Sequence, residues 1–154
     1  MASSLYCMYY AHVYPYLAYC NPIWSTTYPC HLYSLNILHK KVIRIATNSD
    51  FLAHTPPLFK SMNILQIPDL SKLFIATYMF KHLNSNHTNT TLSHHYSTRN
   101  RHTSNIPRHN LTLYRQSLMY KGPTVWNSLP QYVKESISTS SFKNKLKILL
   151  LSKY

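Results

Sequence analysis

The sequence predicts a mainly α-helical protein, a small irregular helical domain with a long polar loop. Apolar residues recur at helical spacing in several segments, and Pro, Asn and Ser residues separate these segments. The 154 residues include one glycine beside nine prolines, whereas β-rich folds normally place glycine in tight turns. We expect a helical region over residues 1–83, a flexible polar and basic loop over 84–110, and a C-terminal helical segment over 111–154.

The first region begins with two predicted helices. A stretch from about Ser3 to Tyr19 keeps roughly helical apolar spacing, and Pro15 bends or splits it. A connector from Asn21 to Pro29 follows. The segment His31–Ala46 is the best-defined helix, with apolar residues on one side, and Asn48-Ser49-Asp50 ends it. That apolar side consists of Leu32, Leu35, Leu38, Val42, Ile45 and Ala46.

Two further helices complete this region. Pro56-Pro57 starts a short helix from Leu58 to Met62, since proline suits a first helical turn. Asp69 is expected to cap a helix from Leu70 to Leu83. This helix is apolar around nearly its whole axis, which is typical either of a helix central to a core or of one that forms an interface. In so small a chain a missing partner domain would cover such a surface, so we expect the domain to be incomplete on its own.

The C-terminal segment contains a turn and a terminal helix. Gly122-Pro123 predicts a turn, and Trp126 and Leu129 then lie on one face of a short helix. The last helix is expected to begin after Ser140 or Ser141 as its N-cap. Its apolar stripe consists of Phe142, Leu146, Leu149 and Leu150, with Lys143 and Lys147 opposite.

Positive charge dominates the chain. Sixteen Lys and Arg residues face only Asp50, Asp69 and Glu135, which gives a net charge of +13, and no Lys or Arg precedes Lys40. Such a field attracts polyanions, nucleic acid first and an anionic membrane surface second. The segment Tyr96–His102 also interleaves arginine, which pairs with phosphate, and tyrosine, which stacks on unpaired bases.

Several cations are therefore candidate nucleic-acid contacts. Lys40, Lys41 and Arg44 share the polar side of their helix, either as a solvated face or as a ridge facing phosphates. Arginines of the polar loop are likewise either solvated or bound to a single strand. The full candidate set is Lys40, Lys41, Arg44, Arg99, Arg101, Arg115, Lys143 and Lys147.

Other chemistry has little support in the sequence. Cys7, Cys20 and Cys30 are too far apart for the paired ligands of zinc modules, so we expect reduced core thiols and no metal. The three acidic residues are explained as helix caps or loop residues, so the sequence offers neither a catalytic triad nor a two-metal site. A single glycine excludes a Gly-rich phosphate loop. We expect no catalytic residue and no cofactor.

The uncharged N-terminal stretch lacks the basic start of a signal peptide, and prolines and polar residues interrupt it. We therefore expect no signal peptide, no transmembrane segment, no membrane partner and an intracellular location in nucleus or cytoplasm.

Seven blocks in order resemble the region downstream of the reverse transcriptase domain in non-LTR (LINE-type) retrotransposons. Single helices and turns recur in many families, but the order and spacing of these blocks extend over nearly the whole chain. The blocks are Tyr14–Tyr19 with Ile23-Trp24, Leu35–Ile45, Phe51–Phe59, Leu65–Leu70, Tyr96–Asn100, Gly122–Pro130 and Ser141–Leu146. Two examples are LNILHKKVIRI, similar to the family's LQKKAIRII helix, and GPTVWNSLP, similar to its GP..WNSLP block.

The resemblance implies a thumb-like and post-thumb helical region that contacts template-primer duplex or element RNA. The family's catalytic Tyr-Ala-Asp-Asp block lies upstream and has no counterpart here. We therefore expect a truncated open reading frame, a fragment of an RNA-directed DNA polymerase that is not itself an enzyme. Its expected partners are RNA or DNA and a missing upstream reverse transcriptase domain. The alternatives are a non-enzymatic interaction or structural module using the apolar helix 70–83, and a membrane-surface protein using the basic C-terminal helix.

Overall fold

The computed structural model of the protein describes residues 2–84 and 103–154, and it confirms a small, mainly helical domain. No strand occurs within those two ranges. The α-helices are α1 Ala2–Met8, α2 Tyr14–Ala18, α3 Asn21–Trp24, α4 Pro29–Ala46, α5 Thr55–Ser61, α6 Ile67–Asn84, α7 Leu118–Asn127, α8 Gln131–Lys134 and α9 Thr139–Leu151. A π-helical turn at Tyr9–Val13 joins α1 to α2, and a 3-10 helix spans Thr112–Gln116.

The N-terminal helix continues past its proline. A proline ring clashes with the carbonyl group four residues earlier in a regular α-helix, and the ring nitrogen cannot donate a hydrogen bond. Here the wider π-helical turn lies immediately before Pro15, with the Tyr14 backbone N–H donating to Tyr9 O. The predicted bend at this proline is therefore a local change of helical pitch. The expected connector that follows contains the short helix α3.

Helix α6 forms the centre of the fold. It packs against α3, α4, α7 and α9, and residues on every side of its axis are buried. The buried apolar residues are Ile67, Leu70, Leu73, Ile75, Ala76, Met79 and Phe80. A helix that is apolar on all sides either lies at the centre of a core or forms an interface, and α6 lies at the centre of the core. The chain's own helices cover most of the apolar surface that the sequence suggested a missing domain would cover.

The start of α6 differs from the prediction. The helix begins at Ile67, so Asp69 lies in its first turn and is not its N-cap. The Asp69 carboxylate accepts hydrogen bonds from Lys72 Nζ at 3.0 Å and from the Tyr154 hydroxyl at 2.8 Å. The same hydroxyl accepts from the Gln66 backbone N–H at 2.9 Å. Tyr154 thus ties the C-terminus of the chain to the start of the central helix.

The buried face of α4 is rotated from the predicted one. His39 and Ile43 are buried, whereas Leu38 and Ile45 are 56% and 73% exposed. The reason is that α4 packs on α1 and α5, where His39 acts as a core residue. Its Nε2 lies 2.8 Å from the Tyr9 hydroxyl. The predicted end of the helix is confirmed, because the residues after Ala46 leave the helical conformation.

Gly122-Pro123 does not form the predicted turn, because both residues lie inside α7. No glycine among the described residues has a positive φ. A Cβ atom at Gly122 would lie 2.8 Å from the sulfur of Met79. The absence of a side chain at Gly122 therefore lets the Met79 side chain lie close against α7, and Trp126 of the same helix is also buried.

The terminal helix α9 has the predicted apolar stripe, but the helix begins earlier than predicted. Phe142, Leu146 and Leu150 are buried in the core around α6. The N-cap is Ser138, whose side-chain oxygen accepts from the Ser141 backbone N–H at 3.1 Å. Ser140 and Ser141, the predicted caps, lie within the first turn.

Two other predictions concern the polar loop and the three cysteines. Most of the expected flexible loop over 84–110 lies outside the described residues, and residues 103–110 have no regular structure. The three cysteines, Cys7, Cys20 and Cys30, are free thiols as expected, but they are exposed and not part of the core. They lie in the N-terminal helical stretch or at helix ends, on sides that face solvent.

Candidate nucleic-acid interface

Helix α4 carries three of the predicted contacts. Lys40 and Arg44 are one turn apart on the same side of the helix, and Lys41 lies beside them. Lys41 is exposed, while Lys40 and Arg44 are half-buried. The Arg44 Nε group donates to the Ala53 carbonyl at 3.1 Å, so this side chain is anchored to the loop that follows α4.

Helix α9 carries two more predicted contacts. Lys143 is exposed and Lys147 is half-buried. The main packing partners of α4 are α1, α5 and α6, whereas those of α9 are α6 and α8. The two basic groups therefore belong to separate helices that share α6 as a neighbour, and the fold does not pack them together.

The remaining predicted contacts are three arginines, and only one of them lies among the described residues. Arg115 lies in the 3-10 helix, and its Nε group donates to His109 Nε2 at 2.8 Å. The His109 ring stacks on Tyr114 and meets Tyr120 edge-on. Arg115 thus belongs to an aromatic cluster of the C-terminal segment. Arg99 and Arg101 lie outside the described residues.

The cations of α4 and α9 have little local compensation. Neither helix contains an acidic residue. The three carboxylates of the chain are engaged elsewhere, Asp50 with the Phe51 backbone N–H, Asp69 as described, and Glu135 with Gln131. Several other lysines are held by carbonyl groups or an aromatic ring. These include Lys60 with Tyr154, Lys121 with Thr26, Lys145 with Tyr132 and Lys134 over Trp126. Positive charge on α4 and α9 is therefore left to interact with an external anion.

A cleft lies beside the basic side of α4, and we call it the α4–α7 cleft. It is an open cleft between the start of α4, the start of α6 and the middle of α7, with Ser25 and Thr27 also lining it, and its volume is about 330 Å³. Its walls are mainly apolar, from Leu32, Ile67, Ile75 and Val125, with Tyr33 at its edge. Ligand sites in proteins are typically concave, apolar and furnished with a few polar groups.

Several polar side chains also line this cleft, namely Ser25, Thr27, Asn36, Ser71, Lys72 and Lys121. Ser25 is only 6% exposed, and its Oγ has no hydrogen-bond partner among residues 2–84 and 103–154. Within the same ranges the buried Asn36 Oδ1 also lacks a partner. Lys121 donates to the Thr26 carbonyl at 2.7 Å, and burial lowers the pKa of its ammonium group. Buried polar atoms without partners cost about 1–3 kcal/mol each, so the two orphaned oxygens require an explanation.

Sequence patterns did not indicate the cleft. Its wall combines residues of α4 with Lys121, and the bond from Lys121 to Thr26 spans 95 positions. One signal was available, because Tyr33, Asn36 and Lys40 follow one another at helical spacing. These residues form a stripe that leads from the cleft to the predicted basic ridge.

Other kinds of site have no geometric counterpart in the described part of the chain. There, no group of three or more His, Cys, Asp or Glu side chains could hold a metal ion. The cleft is lined by neither a carboxylate nor a histidine from these residues. No helix of residues 2–84 and 103–154 is long and apolar enough to cross a membrane.

Comparison of the chain with models of protein families, with curated proteins and with solved structures gave no match. The resemblance to the retrotransposon region therefore rests on the sequence blocks alone.

Proposed function

We propose that the chain binds nucleic acid without strong sequence preference, as a helical fragment of a non-LTR retrotransposon reverse transcriptase that lacks the catalytic palm. The observation that carries this proposal is the uncompensated positive side of α4, formed by Lys40, Lys41 and Arg44 beside the α4–α7 cleft. Lys143 and Lys147 on α9 supply a second, separate contact.

The spacing on α4 suits a nucleic-acid backbone. Residues one helical turn apart are separated by about 6 Å along the axis. Phosphates of one strand in a DNA duplex advance by about 3.4 Å each. Lys40 and Arg44 can therefore contact phosphates of the same strand, and Lys41 extends the contact sideways. Phosphate contacts of this kind position a strand and carry no sequence information.

The interaction-module alternative has weaker support. It requires an exposed apolar face on the helix 70–83, and this part of α6 is largely buried by α3, α4, α7 and α9. Exposed apolar side chains occur along much of the described chain, for example at Tyr16, Leu52 and Ile137, and do not single out this helix.

The test is binding of the purified chain to labelled single-stranded RNA and to primer-template duplex across a salt series. Each neutralised phosphate of a single strand contributes about 0.7 to the slope of log affinity against log salt. The double variant Lys40→Ala/Lys41→Ala should therefore lower that slope by about 1.4. Salt-independent binding, or no binding, would contradict the proposal.

A matched control uses the same change of charge elsewhere. Lys81 and Lys153 are exposed and lie outside the candidate set. The variant Lys81→Ala/Lys153→Ala should leave the slope nearly unchanged. An equal loss in both double variants would show that net charge, and not the surface of α4, drives the binding.

A further inference from the structure

We propose that the α4–α7 cleft holds one unstacked base of a bound single strand, while the flanking phosphates follow the basic side of α4. This inference rests on the proposed function and adds a binding pocket for a base to the proposed contacts with phosphates. Three observations support it, namely the shape of the cleft, its orphaned polar atoms and its continuity with the basic ridge.

The size and lining of the cleft suit a largely apolar group with polar edges. Leu32, Ile75 and Val125 line it, and Tyr33, which also lines it, is 67% exposed. A base that leaves its stack recovers much of the lost energy on apolar and aromatic side chains. An exposed tyrosine at the entrance provides such a surface without any rearrangement of the core.

The orphaned atoms match the edge of a base. Asn36 Oδ1 is an acceptor without a partner in the described part of the chain, and Ser25 Oγ can both donate and accept. Both atoms have almost no accessible surface, so the two side chains must rotate towards a base to pair with it. An amide side chain pairs with adenine through two bonds, one from the exocyclic amino group to the amide oxygen and one from the amide nitrogen to N7. In an unpaired strand the amide can also accept from N3–H of uracil and donate to its O4, so the cleft suits any base that offers a donor beside an acceptor. A purely apolar ligand would leave both oxygens unpaired.

The cleft continues into the phosphate-binding surface. Asn36 and Lys40 are one turn apart on α4, and Lys40 is in turn one turn from Arg44. Lys121 lies in the cleft wall, with its Nζ donating to Thr26 O and 3.5 Å from Thr27 O. An ammonium group has three donors, so one remains for a phosphate. A strand whose base occupies the cleft thus lies near Lys121 in the cleft wall and near Lys40, one helical turn beyond Asn36.

The experiment compares wild-type protein with two short single strands of equal length and charge. One is an adenine-rich strand, and the other carries abasic residues in place of the central bases. Stacking of one base contributes enough to expect about a five- to hundred-fold weaker binding of the abasic strand. Because both strands have the same phosphates, the salt slope should not change.

Protein variants provide the second arm. Tyr33→Ala and Asn36→Ala should each remove most of the preference for the intact strand and leave the salt slope unchanged. Tyr132→Ala is the matched control, since Tyr132 is also exposed and lies on α8, away from the cleft. Helical content by circular dichroism shows that each variant is folded.

The two proposals fail in different ways. Equal affinity for intact and abasic strands, with salt-dependent binding retained, overturns the base pocket and leaves the proposed function standing. Absence of salt-dependent binding to either strand overturns both. A preference for the intact strand that survives Tyr33→Ala and Asn36→Ala places the base elsewhere and also overturns this inference.

Discussion

Acid should destabilise the fold chiefly through one buried side chain, His39. The residue is 2% exposed, and burial lowers the pKa of its imidazole from 6.5 to about 4. Its Nε2 pairs with the Tyr9 hydroxyl, and burial raises the pKa of that phenol, so the pair is neutral near neutral pH. The folded state favours the uncharged imidazole. Its stabilisation is complete above about pH 6.5 and is lost as the pH falls towards about 4.

The size of the effect follows from the two pKa values. Each pKa unit corresponds to about 1.4 kcal/mol, so the difference between 6.5 and about 4 corresponds to about 3 kcal/mol. Domains of ordinary stability unfold with about 5–15 kcal/mol, so this loss is a large fraction of the total. Carboxylates usually dominate acid unfolding, but this chain has only three acidic side chains.

The assay is urea unfolding followed by circular dichroism at about pH 7.5 and about pH 4. Protonation of all ten histidines would raise the net charge from +13 to +23, so moderate salt is needed to screen general repulsion. His39→Gln should be less stable at neutral pH but should lose about 2–3 kcal/mol less on acidification. His54→Gln, at an exposed position, should behave as wild type. An identical pH dependence in wild type and His39→Gln would refute the reasoning.

Three further substitutions test the packing and capping described above. Ser138→Ala should cost about 1 kcal/mol of unfolding free energy, measured by urea titration, whereas Ser141→Ala should cost almost nothing. Equal effects would contradict the assignment of the cap. Gly122→Ala combines a gain of about 1 kcal/mol in helix propensity with a clash of about 1–3 kcal/mol against Met79, so it should be neutral to destabilising alone and stabilising in a Met79→Ala background. Additive effects would count against the close contact. Tyr154→Phe should cost about 1–3 kcal/mol, because Tyr154 loses both hydrogen bonds of its hydroxyl, and an unchanged thermal midpoint would exclude that role.

The parts of the fold that the sequence predicted correctly depend on local patterns. The apolar stripe of α9 was correct because Phe142, Leu146 and Leu150 are unambiguous core residues at helical spacing. Pro56-Pro57 also indicated a short helix at the right place, although α5 spans Thr55–Ser61 and so begins three residues before the predicted start at Leu58. Such signals act within one helical turn, so no knowledge of the tertiary structure is needed.

The parts that were missed depend on contacts between distant segments. A histidine counts as polar in any pattern, so only the partner Tyr9 reveals that His39 belongs to the core. Gly122 has the sequence signature of a turn, and only the position of Met79 shows that it permits helix packing. The α4–α7 cleft was missed for the same reason, because α4 and α7 meet there from different ends of the chain.

The most direct test of nucleic-acid binding by α4 is photocrosslinking of a thiouridine-labelled single strand to the folded chain, followed by mass spectrometry of the linked peptides. The crosslinks should concentrate on peptides of Pro29–Ala46 and should disappear at high salt. Crosslinks confined to other segments, or crosslinks that persist unchanged at high salt, would contradict the proposal that this helix is the primary contact.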